Sequence, residues 1–241
     1  MDHLPSDKSV RSTATVAALA VCGLIVVSAA HASIGKAVAV IQDATAEGDT
    51  GARVLEIGAS VFIGDLLKSG PVGLAQLVFS DDTRLVVGPN SSLRVDTYLL
   101  RNQDTVENLS ISALRGSFRF LSGNSPSKAY QITTANATIG VRGTGFDISS
   151  RADATGVLTY SGNVDICNLQ QACRSAQPGE LFDVGPQGNI TNIEDPAEKL
   201  AYMQQYFPFA FDQSLLLALF LVDTNVVFRS NDIRPKAGSP G

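Results

Sequence analysis

Between Gly35 and Ile193 the chain never stays apolar long enough, or at the right spacing, to form a helix. Short apolar runs recur every ten to twenty residues instead, with Gly, Asn, Asp, Ser or Pro between them. Examples are Lys36 to Gln42, Ala75 to Phe79, Arg84 to Val87, Ser92 to Asp96, Asn108 to Ser112, Ser117 to Leu121, Gln131 to Thr134, Gly145 to Ser149, Val157 to Tyr160 and Asn163 to Cys167. Apolar residues alternate within several of them, as in Leu85/Val87, Leu109/Ile111 and Phe118/Phe120, which is the period of a strand with one buried face. The chain is therefore expected to be mainly β. The loose recurrence of glycine-marked strand units predicts a solenoid-like, β-helical stack of short strands, each coil burying its inner face on the next. A β-sandwich is the alternative, and the periodicity alone does not separate the two.

Composition changes after residue 194. Asp195-Pro196-Ala197-Glu198 reads as a helix start, with Asp as cap and Pro at the first helical position. A helix from about Pro196 to Gln205 should end near Pro208, and a second should begin after Asp212 and run through Leu215 to Val222. That apolar run is too short to span a membrane, and it is expected to cover an open end of the β stack or to dock on a partner. Residues 195–232 thus form a small helical appendage, and the Pro- and Gly-containing tail 233–241 is expected to be disordered.

At the other end, Lys8 and Arg11 precede an apolar stretch from about Thr13 to Ala30, which closes in Ala30-His31-Ala32. That is the layout of a secretory signal cleaved after Ala32, with a retained anchor as the alternative. Removing residues 1–32 takes away both histidines, His3 and His31, together with Cys22. The net charge of -5 is unchanged, because Asp2 and Asp7 offset Lys8 and Arg11. No basic stripe is present, so nucleic acid is not expected as a partner. Cys167 and Cys173, the remaining cysteines, enclose a short loop and are expected to form a disulfide at the tip of a hairpin.

A mature chain without histidine lacks the usual general base and metal ligand, so Ser-His-Asp and Cys-His catalysis are excluded and neither a metal nor a cofactor is expected. Carboxylates leave one open route. Asp81-Asp82 with Asp65, or Asp147 with Asp165, could in principle act on polysaccharide in a β-helical enzyme. Adjacent acids in a strand point to opposite faces, however, and the chain has no Trp and five Tyr for stacking sugars. The expectation is a protein that is not an enzyme.

The segment AYQITTANATIGVRGTGFDI, residues 129–148, is the most specific part of the chain. A short strand leads to a glycine-marked bend, and a second strand starts at Phe146. Ile132, Thr133, Ala137, Val141, Gly143, Thr144, Phe146 and Ile148 carry a pattern that resembles the FecR-type regulatory domain of Gram-negative envelopes. The preceding run VFIGDLLKSGPVGLAQLVFSDDTRLVVGPNSSLRV is similar to that family at Gly64, Asp65, Leu67, Gly70, Ala75, Leu77, Phe79, Asp81, Leu85, Val87, Pro89, Ser91 and Leu93. Ser69 and Asp82 depart from it, standing where the family favours threonine and glycine. VLTYSGNVDI (157–166) and QPGE (177–180) extend the likeness, so that residues 33–194 are assigned to one FecR-type β domain.

Of the two β folds left open by the periodicity, the resemblance implies the solenoid-like one, and with it a periplasmic or secreted binding and signalling module that works through protein contacts. In full regulators of this family it also implies an anti-sigma segment inside the cell, a membrane helix and an outer domain that senses a TonB-dependent iron transporter. Only about twelve residues precede the apolar stretch here, so sigma-factor control is not carried over. The expected partner is an envelope protein, either an outer-membrane transporter or an inner-membrane signalling protein, or further copies of the chain. A structural or adhesive envelope scaffold is the alternative function. Arg142 and Thr144 are the candidate binding residues, while Gly64, Asp65, Asp81, Val141, Gly143 and Phe146 are motif positions with structural roles. Arg142 is expected to tie the bend to carbonyls or to Asp147, or to project to a partner carboxylate, and Thr144 to satisfy a backbone group in the same bend.

Overall fold

Alternating apolar positions and glycine-rich turns give fifteen strands in the computed structural model, which describes residues 32–49 and 51–228. In chain order they are β1 (Gly35–Ile41), β2 (Ala44–Gly48), β3 (Gly51–Val54), β4 (Ser60–Val61), β5 (Leu66–Ser69), β6 (Leu74–Phe79), β7 (Arg84–Val87) and β8 (Ser92–Leu100). There follow β9 (Val106–Leu121), β10 (Tyr130–Thr133), β11 (Ala137–Ser150), β12 (Thr155–Asn168), β13 (Cys173–Ala176), β14 (Leu181–Val184) and β15 (Ile190–Asn192). The N-terminal segment assigned as a signal and the tail 233–241 lie outside the described residues.

Three long strands organise the rest. The first half of β9 pairs with β8 and β10, and its second half with β7 and β11. Likewise β11 leaves β10 to join β9, while β12 follows β11 throughout and exchanges β14 for β13 along its length. Each therefore passes from one layer into another. One layer runs β15-β14-β12-β11-β9-β7-β6-β1-β4; the other runs β13-β12-β11-β10-β9-β8-β5-β2-β3. Ring contacts between Phe79 and Tyr98 (5.9 Å) and between Phe120 and Tyr130 (5.6 Å) join the layers, and one continuous core fills the space between them. Passage between layers needs a sharp bend. In β9 it falls at Gly116, where φ is +108° and a Cβ would lie 2.1 Å from the Ser91 Oγ.

Stacked coils would place successive strands in parallel register, and here β10 on β9 is the one parallel ladder among the described residues. The solenoid expectation is therefore not confirmed: the strands form one open sheet whose two paths share one continuous core. Hairpins explain the difference. Turns such as Asp81–Asp82 are too tight to carry a strand into the next coil and reverse it against its neighbour instead.

Asp195 accepts a hydrogen bond from the Glu198 amide (2.8 Å) and starts α1 (Pro196–Tyr206), as the cap signature predicts. The second expected helix does not form. Instead α2 (Pro208–Phe211), a 3-10 turn at Ala218–Phe220 and α3 (Asn225–Phe228) punctuate an irregular strap. The run Leu215–Val222 has no polar face to offer water, so a helix would leave apolar surface on every side. Side chains fix the strap's backbone instead. Gln76 donates to the Leu215 carbonyl (2.9 Å) and accepts from the Leu217 amide (2.8 Å), and Arg84 donates to the Leu219 carbonyl (2.7 Å). Leu216 and Phe220 are buried against Leu74 and Val86, so the strap covers the outward face of the first layer and not an open end. Among the described residues no helix is long and apolar enough to cross a membrane.

Candidate functional site

The motif at Val141–Phe146 folds as a bulge in β11. Arg142 opposes Asn163 and Gly145 opposes Ser161, which leaves Gly143 and Thr144 facing Gly162 alone. Gly162 is required there: its φ is +65°, and a Cβ would lie 2.4 Å from the Gly143 carbonyl oxygen. The Thr144 amide donates to the Ser122 Oγ (2.9 Å), its carbonyl accepts from the Ser122 amide (2.9 Å), and the Gly145 amide donates to the Ser161 Oγ (2.9 Å). Thr144 itself is buried, and its hydroxyl has no hydrogen-bond partner among the described residues. The expectation that this hydroxyl satisfies a backbone group is corrected: Ser122, just past the end of β9, and Ser161 on β12 do that work. Val141 and Phe146 turn into the core on either side, Phe146 against Phe120 at 5.4 Å between ring centroids.

Arg142 points outward, with its side chain 66% exposed. Its Nε donates to the Asp165 Oδ2 at 2.7 Å across the β11–β12 ladder. Neither the turn carbonyls nor Asp147 is its partner, which corrects the sequence reading. The guanidinium overhangs a groove of about 600 Å³ on the outward face of the second layer, lined by Lys128, Gln131, Thr138, Gly140 and Asp165 among others. A smaller concavity of about 390 Å³ lies beyond the bulge, between Arg84, Thr144, Tyr160 and Asp223. The bulge thus separates two surface depressions.

The other motif residues are fixed inside the scaffold. Asp65 is 1% exposed, accepts from the Phe62 amide (2.8 Å) and is gripped by both terminal nitrogens of Arg53, one of them at 2.9 Å. Gly64 supplies the positive φ (+86°) of the turn before it. Asp81 is fully buried and accepts from Ser125 Oγ (2.7 Å), Tyr130 hydroxyl (2.9 Å) and Thr83 Oγ1 (2.9 Å), tying the β6–β7 turn to the segment before β10. Burial pushes the Tyr98 and Tyr130 phenols up, and the Asp81 carboxylate adds to it. Asp82, where the resemblance favours glycine, adopts φ +63°, a left-handed conformation that Asp tolerates better than most residues. The turn survives the substitution.

A cluster that sequence reasoning did not single out lies under the strap. Arg119 donates from Nε to Asp147 Oδ1 (2.7 Å) and from Nη2 to Asp147 Oδ2 (2.9 Å), while the Tyr160 hydroxyl donates to the same carboxylate (2.7 Å). Arg119 also donates to the Phe209 carbonyl (3.1 Å) and to Gln213, both on the strap. Burial is the largest influence on the Arg119 guanidinium and works to lower it, but Asp147 and Tyr160 outweigh burial and hold it above its ordinary range. Alternation places Arg119 between Phe118 and Phe120, and Asp147 between Phe146 and Ile148, so both sit on the outward face. Their opposite charges on neighbouring strands were a signal that they pair; only the strap made the pair buried.

Each carboxylate considered for catalysis is therefore engaged by donors: Asp65 by Arg53, Asp81 by hydroxyls, Asp147 by Arg119, Asp165 by Arg142, and Asp82 by the Asn124 amide (2.8 Å). Cys167 and Cys173 are bridged as expected, at directly opposed positions of β12 and β13 with Cα atoms 4.0 Å apart.

Compared with protein families, residues 65–165 match the model described as FecR protein. Over these residues the chain is similar to the FecR family. The match opens on Asp65 and closes on Asp165, so it contains the buried Asp81 and the whole bulge, and leaves out β1 to β4, the disulfide hairpin's second strand and the strap. Two solved structures of a candidate anti-sigma factor from Parabacteroides distasonis align over 58% of this chain, at 17% and 16% identity and TM-scores of 0.44 and 0.45. The alignment covers 64% of those chains, less than two thirds of their length. A comparison with curated proteins finds no match.

Proposed function

We propose that this chain is a non-enzymatic signalling module of the cell envelope, delivered by its N-terminal apolar segment and acting through protein contacts made around the FecR-type bulge. The observation that carries this reading is the division of labour within the matched segment. Asp65, Asp81, Val141 and Phe146 are buried and hold the scaffold, whereas Arg142 is exposed over a groove and among the described residues bonds Asp165 alone. The partner is an envelope protein, an outer-membrane transporter or an inner-membrane signalling protein. Deleting the coding sequence in the native bacterium and profiling its transcripts tests the reading. A defined set of transcripts should change and be restored by the wild-type chain; an unchanged profile under every envelope stress applied would count against it.

A scaffold function has one observation in its favour. Leu215, Leu217, Leu219 and Leu221 on the strap are between 39% and 60% exposed, an apolar row that copies of the chain could bury. Light scattering separates the two readings, since mass that grows with concentration into large homomers belongs to a scaffold and a constant monomer mass to a sensor.

A further inference from the structure

The groove beside Arg142 is built from the middle of three strands. Across its floor Gln131, Gly140 and Asp165 stand side by side in register on β10, β11 and β12. A Cβ on Gly140 would meet nothing nearer than Asp165 at 3.8 Å, so glycine leaves a trough between two longer side chains. Thr138 lies along the same face of β11, and Arg142 stands at the trough's end. Because Asp165 holds the guanidinium through Nε, both terminal nitrogens stay without a hydrogen bond among the described residues. That is the fork geometry that takes a carboxylate with two parallel bonds. Lys128 lines the same groove, is exposed, and has no ion pair among the described residues. On a chain of net charge -5, two cations against one carboxylate make this a locally positive recess.

We propose that this groove receives an acidic segment of the partner protein, a Glu or Asp side chain of which makes a two-bond contact with the Arg142 terminal nitrogens while Lys128 adds a second attraction. Asp165 acts as the positioning residue that aims the guanidinium. The proposal rests on the reading of the chain as a protein-binding module and names the chemistry its partner presents.

Titration of the intact, isotope-labelled chain with a short glutamate-rich peptide, followed by NMR, tests it, with the glutamine counterpart and inorganic phosphate as comparison probes. The glutamate peptide should shift the amides of Gln131, Thr138, Gly140 and Arg142, and its glutamine counterpart should not. Arg142→Gln should weaken binding about tenfold, the value of one charge-assisted bidentate contact, and Lys128→Gln about threefold. Added salt should weaken it as well. A matching thermal unfolding curve for Arg142→Gln confines the effect to binding; should that variant not fold, Lys128→Gln and the salt series give the same reading. No shift with the glutamate peptide, equal binding of the glutamine peptide, or phosphate binding as tightly as the peptide would overturn the proposal. Such a failure beside an intact transcript response would remove the acidic ligand alone and leave the signalling reading standing.

Discussion

Asp81 shows how much a single buried residue can hold. Its carboxylate accepts hydrogen bonds from Thr83, Ser125 and Tyr130, and replacing it by alanine would strand those donors in the core. Asp81→Ala should cost about 3 kcal/mol of unfolding free energy, measured by urea titration, with Asp81→Asn costing less because one acceptor remains. The Arg119–Asp147 pair makes a sharper case. Removing one partner leaves an uncompensated buried charge, so Asp147→Asn should cost roughly 3–5 kcal/mol, whereas the double change Arg119→Met with Asp147→Leu should recover much of it. A double variant no more stable than the single one would show that the strap needs the ion pair itself. At this scale legibility divided cleanly. Asp65, Asp81 and the glycine turns could be read from their places in a motif, but the burial of Arg119 and Asp147 depends on a segment 90 to 94 residues beyond Arg119 along the chain, which no local pattern announces.

The elements add a pH dependence. Tyr98, Tyr130, Tyr160 and Tyr202 all titrate above the ordinary value of 10.0, each chiefly because of burial, with Asp81, Asp147 or Asp183 adding to it. The folded chain therefore keeps these protons when the unfolded chain gives them up. Their stabilisation is fully present below pH 10 and is lost as pH rises through the folded values. Lys199, lowered by burial, works the other way: the unfolded chain binds its proton more tightly, so its contribution to stability rises with pH up to about 10.5. Four groups against one predict net loss, and unfolding free energy measured from pH 8 upward should fall beyond pH 10, less steeply in Tyr160→Phe. A flat profile would contradict the burial of these phenols. Reduction of the Cys167–Cys173 bridge should cost about 2 kcal/mol, as closing so short a loop removes little chain entropy. The first C-terminal helix was legible because its cap is local chemistry, while the second was not formed because Gln76, Arg84 and Arg119 bind the carbonyls of Leu215, Leu219 and Phe220 from other strands.

For the whole molecule, alternation located the strands but could not say how they pair. Ladder direction is set by turns and by the three long strands that bend between layers, notably at Gly116 and at the Arg142–Gly145 bulge, and these are single-residue events inside otherwise ordinary strand patterns. The same bulge that lets β11 change layers also lifts Arg142 out over the groove, so fold and proposed contact share one cause. The measurement that tests this most directly is photo-crosslinking in living cells, from a photoreactive residue placed at Gln131 on the groove floor. A heteromeric adduct with an envelope protein, lost when Arg142 is replaced by glutamine, is the predicted result. Adducts formed solely between copies of the chain, or a heteromeric adduct indifferent to Arg142, would contradict it.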